Sequence, residues 1–372
     1  KLKEKALRQM TNSLSQFPKE EVEKRIHTYL TPQIIKENPH FTERLLQLFY
    51  TYRPKETIPQ LLDIWQNHEK VHLRIAAASA ITSLEEPIAI QSLSSGLEDE
   101  HSNMRYQIRN AFSAIFHKNP DKAYDLLAHL FTPEKLNTDH GITVALETFQ
   151  HIHYNVKSDQ RWIERFSMLL ADHIIHNEKY LYSVHHLFNT LQYWKDHGKS
   201  LVPRLLEIMS THSDISVKSA IAHALITMED REGLEKVAEW MYQPEHWIAR
   251  LGIQAVLKLS IEESYERVAH YLEPKELTEP SKIRLALLIL EGLNSWCSSN
   301  YNKFPDPRWE EMCFQFLDKV QLWKNDLNQV YAGYFTQSIY AIQRVLVKPQ
   351  EKNPRVTEVY LKALQLTEDN DT

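Results

Sequence analysis

Glycine is scarce in this chain, filling only 7 of 372 positions. Tight hairpins, helix C-caps and phosphate-cradling loops call on backbone with φ > 0, which glycine adopts at least cost. So low a count argues against a sheet-rich fold. Neither GxGxxG nor GxxxxGK[ST] occurs, which argues against the dinucleotide and P-loop types of nucleotide site. Cysteine is scarcer still: Cys297 and Cys313 supply neither a disulfide framework nor a zinc set, in keeping with a reducing compartment. Basic excess is also missing. The formal net charge is −6 and the pI about 6.4, so the clustered Lys and Arg of a general nucleic-acid binder are not expected. No apolar run approaches the roughly 20 residues that span a bilayer. The longest, "LALLILEGL" at 285–293, ends in charge and glycine.

What the chain does have is repetition. The pattern apolar–[Arg/Lys]–x–x–apolar–x–x–[Ala/Val]–[large apolar] occurs four times. Leu73-Arg74 precedes Ala77, Ala80 and Ile81, and Met104-Arg105 precedes Ile108, Ala111 and Phe112. Val217-Lys218 precedes Ile221, Ala224 and Leu225, and Ala249-Arg250 precedes Ile253, Val256 and Leu257. Offsets of three, six and seven share one helical face. Arg74 and Arg105 are 31 residues apart, and Lys218 and Arg250 are 32 apart. The 113 residues between Arg105 and Lys218 leave room for further units. Ile283-Arg284 follows Arg250 by 34 residues, although Glu291 interrupts the last apolar position.

An apolar helix precedes each copy: "ETIPQLLDIWQ" (56–66), "PIAIQSLSSGL" (87–97), "SLVPRLLEIMS" (200–210) and "EGLEKVAEWMY" (232–242). Pro59, Pro87 and Pro203 stand near the starts of three of these, where a missing N–H is harmless. Each repeat therefore reads as helix, turn, helix, and must stack on its neighbours to cover its apolar faces. An acid precedes each basic residue by four or five positions: Glu69, Glu100, Asp214 and Glu245. The expectation is a ladder pairing Arg74, Arg105, Lys218 and Arg250 with these turn acids, setting register more than stability.

These units resemble HEAT repeats, including the bacterial HEAT-like kind, in the proline-tolerant first helix, the acidic turn and the small-residue second helix headed by a basic residue. The resemblance covers roughly 56–117 and 200–258. It implies an all-α fold, a right-handed α-solenoid of stacked antiparallel helix pairs. The expected organisation is an N-terminal helical cap (1–55), HEAT-like repeats (56–117), irregular His- and aromatic-rich helical repeats (118–199) and HEAT-like repeats (200–293). A loop or insertion (294–309) and a C-terminal helical cap with an acidic tail (310–372) complete it.

Function is sought where the rhythm breaks. His140, His151, His153, His173, His176, His185, His186 and His197 all lie in the middle segment. "DHIIH" spaces His173 and His176 for one helical face, yet no HExxH-type motif accompanies them, and no metal is expected. Trp162 and Trp194 in this segment read first as core filling between non-standard helices and second as partner-binding residues, while Trp296, Tyr301, Phe304 and Trp309 in "NSWCSSNYNKFPDPRW" are candidate partner-binding residues, because aromatics dominate binding hot spots. Cys297 has no neighbouring His or Asp relay. No cofactor and no catalytic residue is expected.

The leading expectation is a non-enzymatic scaffold or adaptor that holds another protein or peptide in a curved groove. The resemblance also admits two enzyme types. HEAT-like alkylpurine DNA glycosylases use a basic groove with Trp and Asp facing the lesion, and HEAT-like bilin lyases or isomerases act on phycobiliproteins. Neither constellation maps onto residues of this sequence. A cytoplasmic location is expected, with membrane contact only through a segment upstream of Lys1, for which "KLKEKALR" would be a suitable basic flank.

Overall fold

A computed structural model describes residues 13, 16–84, 86–156, 159–273, 275–276, 279–299, 308–309, 311–312 and 315–316. All regular structure among them is helical, with no strand. Two compact units divide the chain, one through Thr190 and one from Leu191.

The N-terminal unit contains α1 (Lys19–Tyr29), α2 (Pro32–Glu37), α3 (Pro39–Gln47), α4 (Ile58–Asn67), α5 (Val71–Leu84) and α6 (Pro87–Gln91). It continues through α7 (Ser102–Lys118), α8 (Pro120–Leu127), α9 (Asp139–Val156), α10 (Gln160–Leu169), α11 (Asp172–Ile175) and α12 (Leu181–Thr190). The C-terminal unit contains α13 (Val202–Thr211), α14 (Ile215–Met228), α15 (Arg231–Ala238), α16 (His246–Leu259), α17 (Ile261–Val268) and α18 (Pro280–Ser299).

The repeated offsets point inward. Leu73, Ala77, Ala80 and Ile81 are buried, as are Met104, Ile108 and Phe112. So are Val217, Ile221, Ala224 and Leu225, and Ala249, Ile253, Val256 and Leu257. Removing each large side chain of this set from water contributes about 1.5–3 kcal/mol. Second helices pack in series: α5 on α7, α7 on α9 and α9 on α12 in one unit, α14 on α16 and α16 on α18 in the other. Small residues permit the close approaches. At Gly252 in α16 an added Cβ would stand 2.1 Å from the Met241 backbone nitrogen, so no larger residue fits without moving the helix. Pro59 and Pro203 occupy the first turns of α4 and α13, as their missing N–H favours.

The segment 118–199, expected to be helical but irregular, is helical, with α9 packed between α7 and α12. One expectation changes here. The expected loop at 294–309 is helical in its first part, because α18 runs on to Ser299, and 300–307 lie outside the described residues. No proline or glycine lies between Leu293 and Ser299, so polar composition alone does not end the helix. No helix among the described residues is long and apolar enough to cross a membrane.

Candidate interaction surface

Three of the aromatic residues selected from sequence are core. Trp162 is 1 % exposed and meets the rings of Tyr124 and Phe131 edge-on at 5.2 and 5.7 Å. Trp194 is fully buried, and Trp309 is covered with its ring 5.2 Å from that of Tyr265. None of the three is available to a partner. For Trp162 and Trp194 this is the core-filling reading; for Trp309 it replaces the partner-binding one. Trp296 lies on α18 with its side chain outside the described residues, as are Tyr301 and Phe304. Among the described residues Trp247 is well exposed, at 45 %, as are Tyr106, Tyr182 and Tyr242. Trp247 stands three residues before Arg250, off the inward face, so the repeat register itself carried the signal.

The basic positions are engaged, but not with the expected acids. Arg74 donates to the Trp65 carbonyl at 3.0 Å and pairs with Asp99 at 3.1 Å rather than with Glu69. Arg105 holds Glu147 through two bonds of 2.9 and 3.0 Å, and takes only the backbone carbonyl of Glu100, at 3.0 Å. Arg250 pairs with Glu291 at 3.2 Å, not with Glu245. Lys218 makes no ion pair among the described residues. Asp214 instead caps α14, accepting from the Val217 N–H at 2.9 Å. The correction has a simple cause. An acid just before a helix start lies where free N–H groups and the helix dipole favour it, while an arginine one turn in reaches forward to the next repeat. Two further groups complete the scheme. The His140 ring donates to the Glu98 carbonyl at 3.0 Å, and Arg284 donates to the carbonyls of Gln243, at 2.9 Å, and Pro244. His140 thus occupies the basic slot of α9, as Arg284 does in α18.

Each compact unit therefore contains a charge cluster joining two successive second helices. Between α7 and α9, the Glu147 carboxylate receives Arg105 and also Arg109, the latter at 2.7 Å, and both guanidiniums are buried. Burial alone would raise the Glu147 pKa, but the two arginines outweigh it and hold the carboxyl below its ordinary value. Burial lowers the pKa of Arg109, with Glu147 opposing. His151 lies beside this group, its ring edge-on to Tyr106 at 5.2 Å. Its pKa is lowered by burial first and by Arg109 next. Between α16 and α18, Glu291 faces Arg250, with His246 and Arg284 close by; burial lowers the His246 pKa, and both arginines add to the effect.

The C-terminal unit also holds an open cavity of about 550 Å³ lined by α14, α16 and α18. Ile226, Met228, Leu257 and Gly292 form its buried floor. Lys195, His223, Gln254 and Lys258 stand at its rim. Lys258 is held by Glu229 at 2.6 Å, and burial lowers the His223 pKa. On α16 the residues Trp247, Arg250, Gln254 and Lys258 fall on one stripe leading to this cavity; Ile215, Ser219, His223 and Thr227 form the matching stripe on α14.

The histidine pair read from "DHIIH" does not form a ligand set. His173 donates to the Leu136 carbonyl at 2.9 Å, and His176 faces Asp172 at 3.8 Å. No group of three or more metal-ligating side chains converges among the described residues. No protein-family model matches the chain, and no curated protein matches its sequence.

Proposed function

We propose that each compact unit is a run of HEAT-like helix pairs, and that the protein is a non-enzymatic scaffold binding another protein through the outer face of its second helices. The observation that carries this reading is the surface across α14, α16 and α18. There, two stripes of exposed side chains border a cavity with an apolar floor and a polar rim. A volume of about 550 Å³ falls within the range of roughly 300–1,000 Å³ typical of ligand clefts. It accommodates a large apolar side chain and its flanking backbone. Gln254 and Thr227 offer side-chain hydrogen bonds to such a segment.

The duplex-DNA alternative needs a free basic groove through Arg74, Arg105, Lys218 and Arg250. Three of these four are paired with Asp99, Glu147 and Glu291. That pairing supports the scaffold over the glycosylase-like reading.

Peptides selected from a random displayed library against the whole protein provide the test. Their affinity, measured by fluorescence anisotropy, should fall at least tenfold in Thr227→Arg and Gln254→Arg and persist in Glu164→Arg, an exposed site in the other unit. Failure to enrich any peptide, or equal binding by all three variants, would reject this face as the binding surface.

A further inference from the structure

We propose that the junction of α7 and α9 is an acid-sensitive joint, in which protonation of His151 adds a third cation to a buried set already holding two guanidiniums on one carboxylate. The inference concerns conformational control and stands apart from the scaffold reading.

The geometry supplies the imbalance. Arg105 and Arg109 expose 6 and 4 % of their surface, and both bond to Glu147. The fixed charge of the trio is +1 while His151 is neutral. Among the described residues the surrounding elements offer no spare anion to an imidazolium. From α7 the facing groups are Arg109 and the exposed Tyr106; on α9 itself they are Glu147 and His153. The preceding turn contributes the carbonyls of Asp99 and Glu100, both taken by Arg105, while the Asp99 carboxylate is engaged by Arg74 and His101. Glu98 lies at the other end of α9 with Lys135 and His129. On α10, Arg161 is held by Asp121 and Asp159, and Arg165 donates to the Tyr124 hydroxyl. On α12, Ser183 accepts from Gln150 through its carbonyl, and His185 contacts Asn189.

A related arrangement stands between α16 and α18, where Glu291 pairs with Arg250, and His246 lies near both Arg250 and Arg284, the latter bonded to the Gln243 and Pro244 carbonyls. Both histidines are held below their ordinary pKa by burial and by arginine. Such a group is neutral and without cost above the unfolded value, about 6.5. As pH falls below that value, the unfolded or opened state takes up the proton first, and stability is lost until the folded value is passed. Acid therefore favours parting of the two helices.

Hydrogen exchange on the whole protein tests the joint. After correction for intrinsic chemistry, protection across 102–118 and 139–156 should fall between pH 7 and pH 5. The expected change is on the order of tenfold per unit of pKa depression. His151→Gln should abolish that acid response there while leaving the response of 246–259 unchanged; His246→Gln should do the converse. An undiminished acid response at α7 and α9 in His151→Gln overturns the proposal. So does an imidazole NMR titration of the unmodified protein that places His151 at or above pH 6.5, a measurement independent of whether the variants fold.

Discussion

Replacing Glu147 by glutamine keeps shape and one carbonyl acceptor but removes the negative charge that Arg105 and Arg109 share. The same change at Glu291 removes the charge facing Arg250. The two glutamates hold the same place in the repeat, seven residues after His140 and Arg284 respectively, yet the consequences differ with burial. Arg105 and Arg109 expose 7 and 5 % of their side chains, and Arg250 exposes 45 %. Breaking a buried pair and leaving its partner charged costs about 3–5 kcal/mol, whereas exposed pairs contribute about 0–1 kcal/mol. Glu147 itself exposes a quarter of its side chain, so the lower end, about 3 kcal/mol, is expected for Glu147→Gln. Glu291→Gln should cost under about 1 kcal/mol. At pH 7 the first change should speed amide exchange across 139–156 by about a hundredfold, and the second should speed exchange across 280–293 less than about tenfold. Equal losses from the two substitutions would refute the assignment of burial as the deciding factor, and no loss at Glu147 would refute the clamp.

Other consequences follow from single contacts. Gly252→Ala forces a methyl against the Met241 backbone and should destabilise by about 1–3 kcal/mol in a urea melt; a neutral result would mean that α16 does not lie so close to 239–242. Asp214→Ala removes the bond to the Val217 N–H and should cost about 1 kcal/mol. Glu245→Ala, at the same position before α16 but with no side-chain cap bond, should leave the melt nearly unchanged, and a larger loss there than at Asp214 would contradict the capping assignment. Burial depresses the pKa values of His151, His153 and His246, so thermal stability should be constant above about pH 7 and decline below about pH 6.5. A melting temperature that holds steady down to pH 5 would count against their burial.

The helical periodicity made the inward face legible. Offsets of three, six and seven after the basic residue return buried side chains wherever the four copies are described, because local period and packing agree. The partner of the arginine was not legible, since it lies 25 to 42 residues away in chain and only stacking brings it near. Which aromatics are displayed was not legible for a related reason. Trp162 and Trp309 sit in segments without the repeat pattern, and composition alone cannot tell a buried ring from a displayed one. Trp247, by contrast, falls within a recognised repeat at a position its register leaves outside.

Glu291 shows most clearly what stacking adds. In one dimension it interrupts an apolar position; in three it is the partner of Arg250. The seventh position after each basic slot then accounts for Arg74, Arg105, Lys218 and Arg250. After Arg105 and Arg250, the next second helix offers Glu147 and Glu291 at that place, and both arginines pair with them. After Arg74, the next helix offers Phe112, which is buried, and Arg74 turns to Asp99 in the intervening turn. After Lys218, it offers Leu257, and Lys218 has no ion pair among the described residues. A glutamate at that position costs a core contact and gains a clamp between neighbours. It occurs once in each compact unit, at the two junctions where a histidine also sits against the arginines.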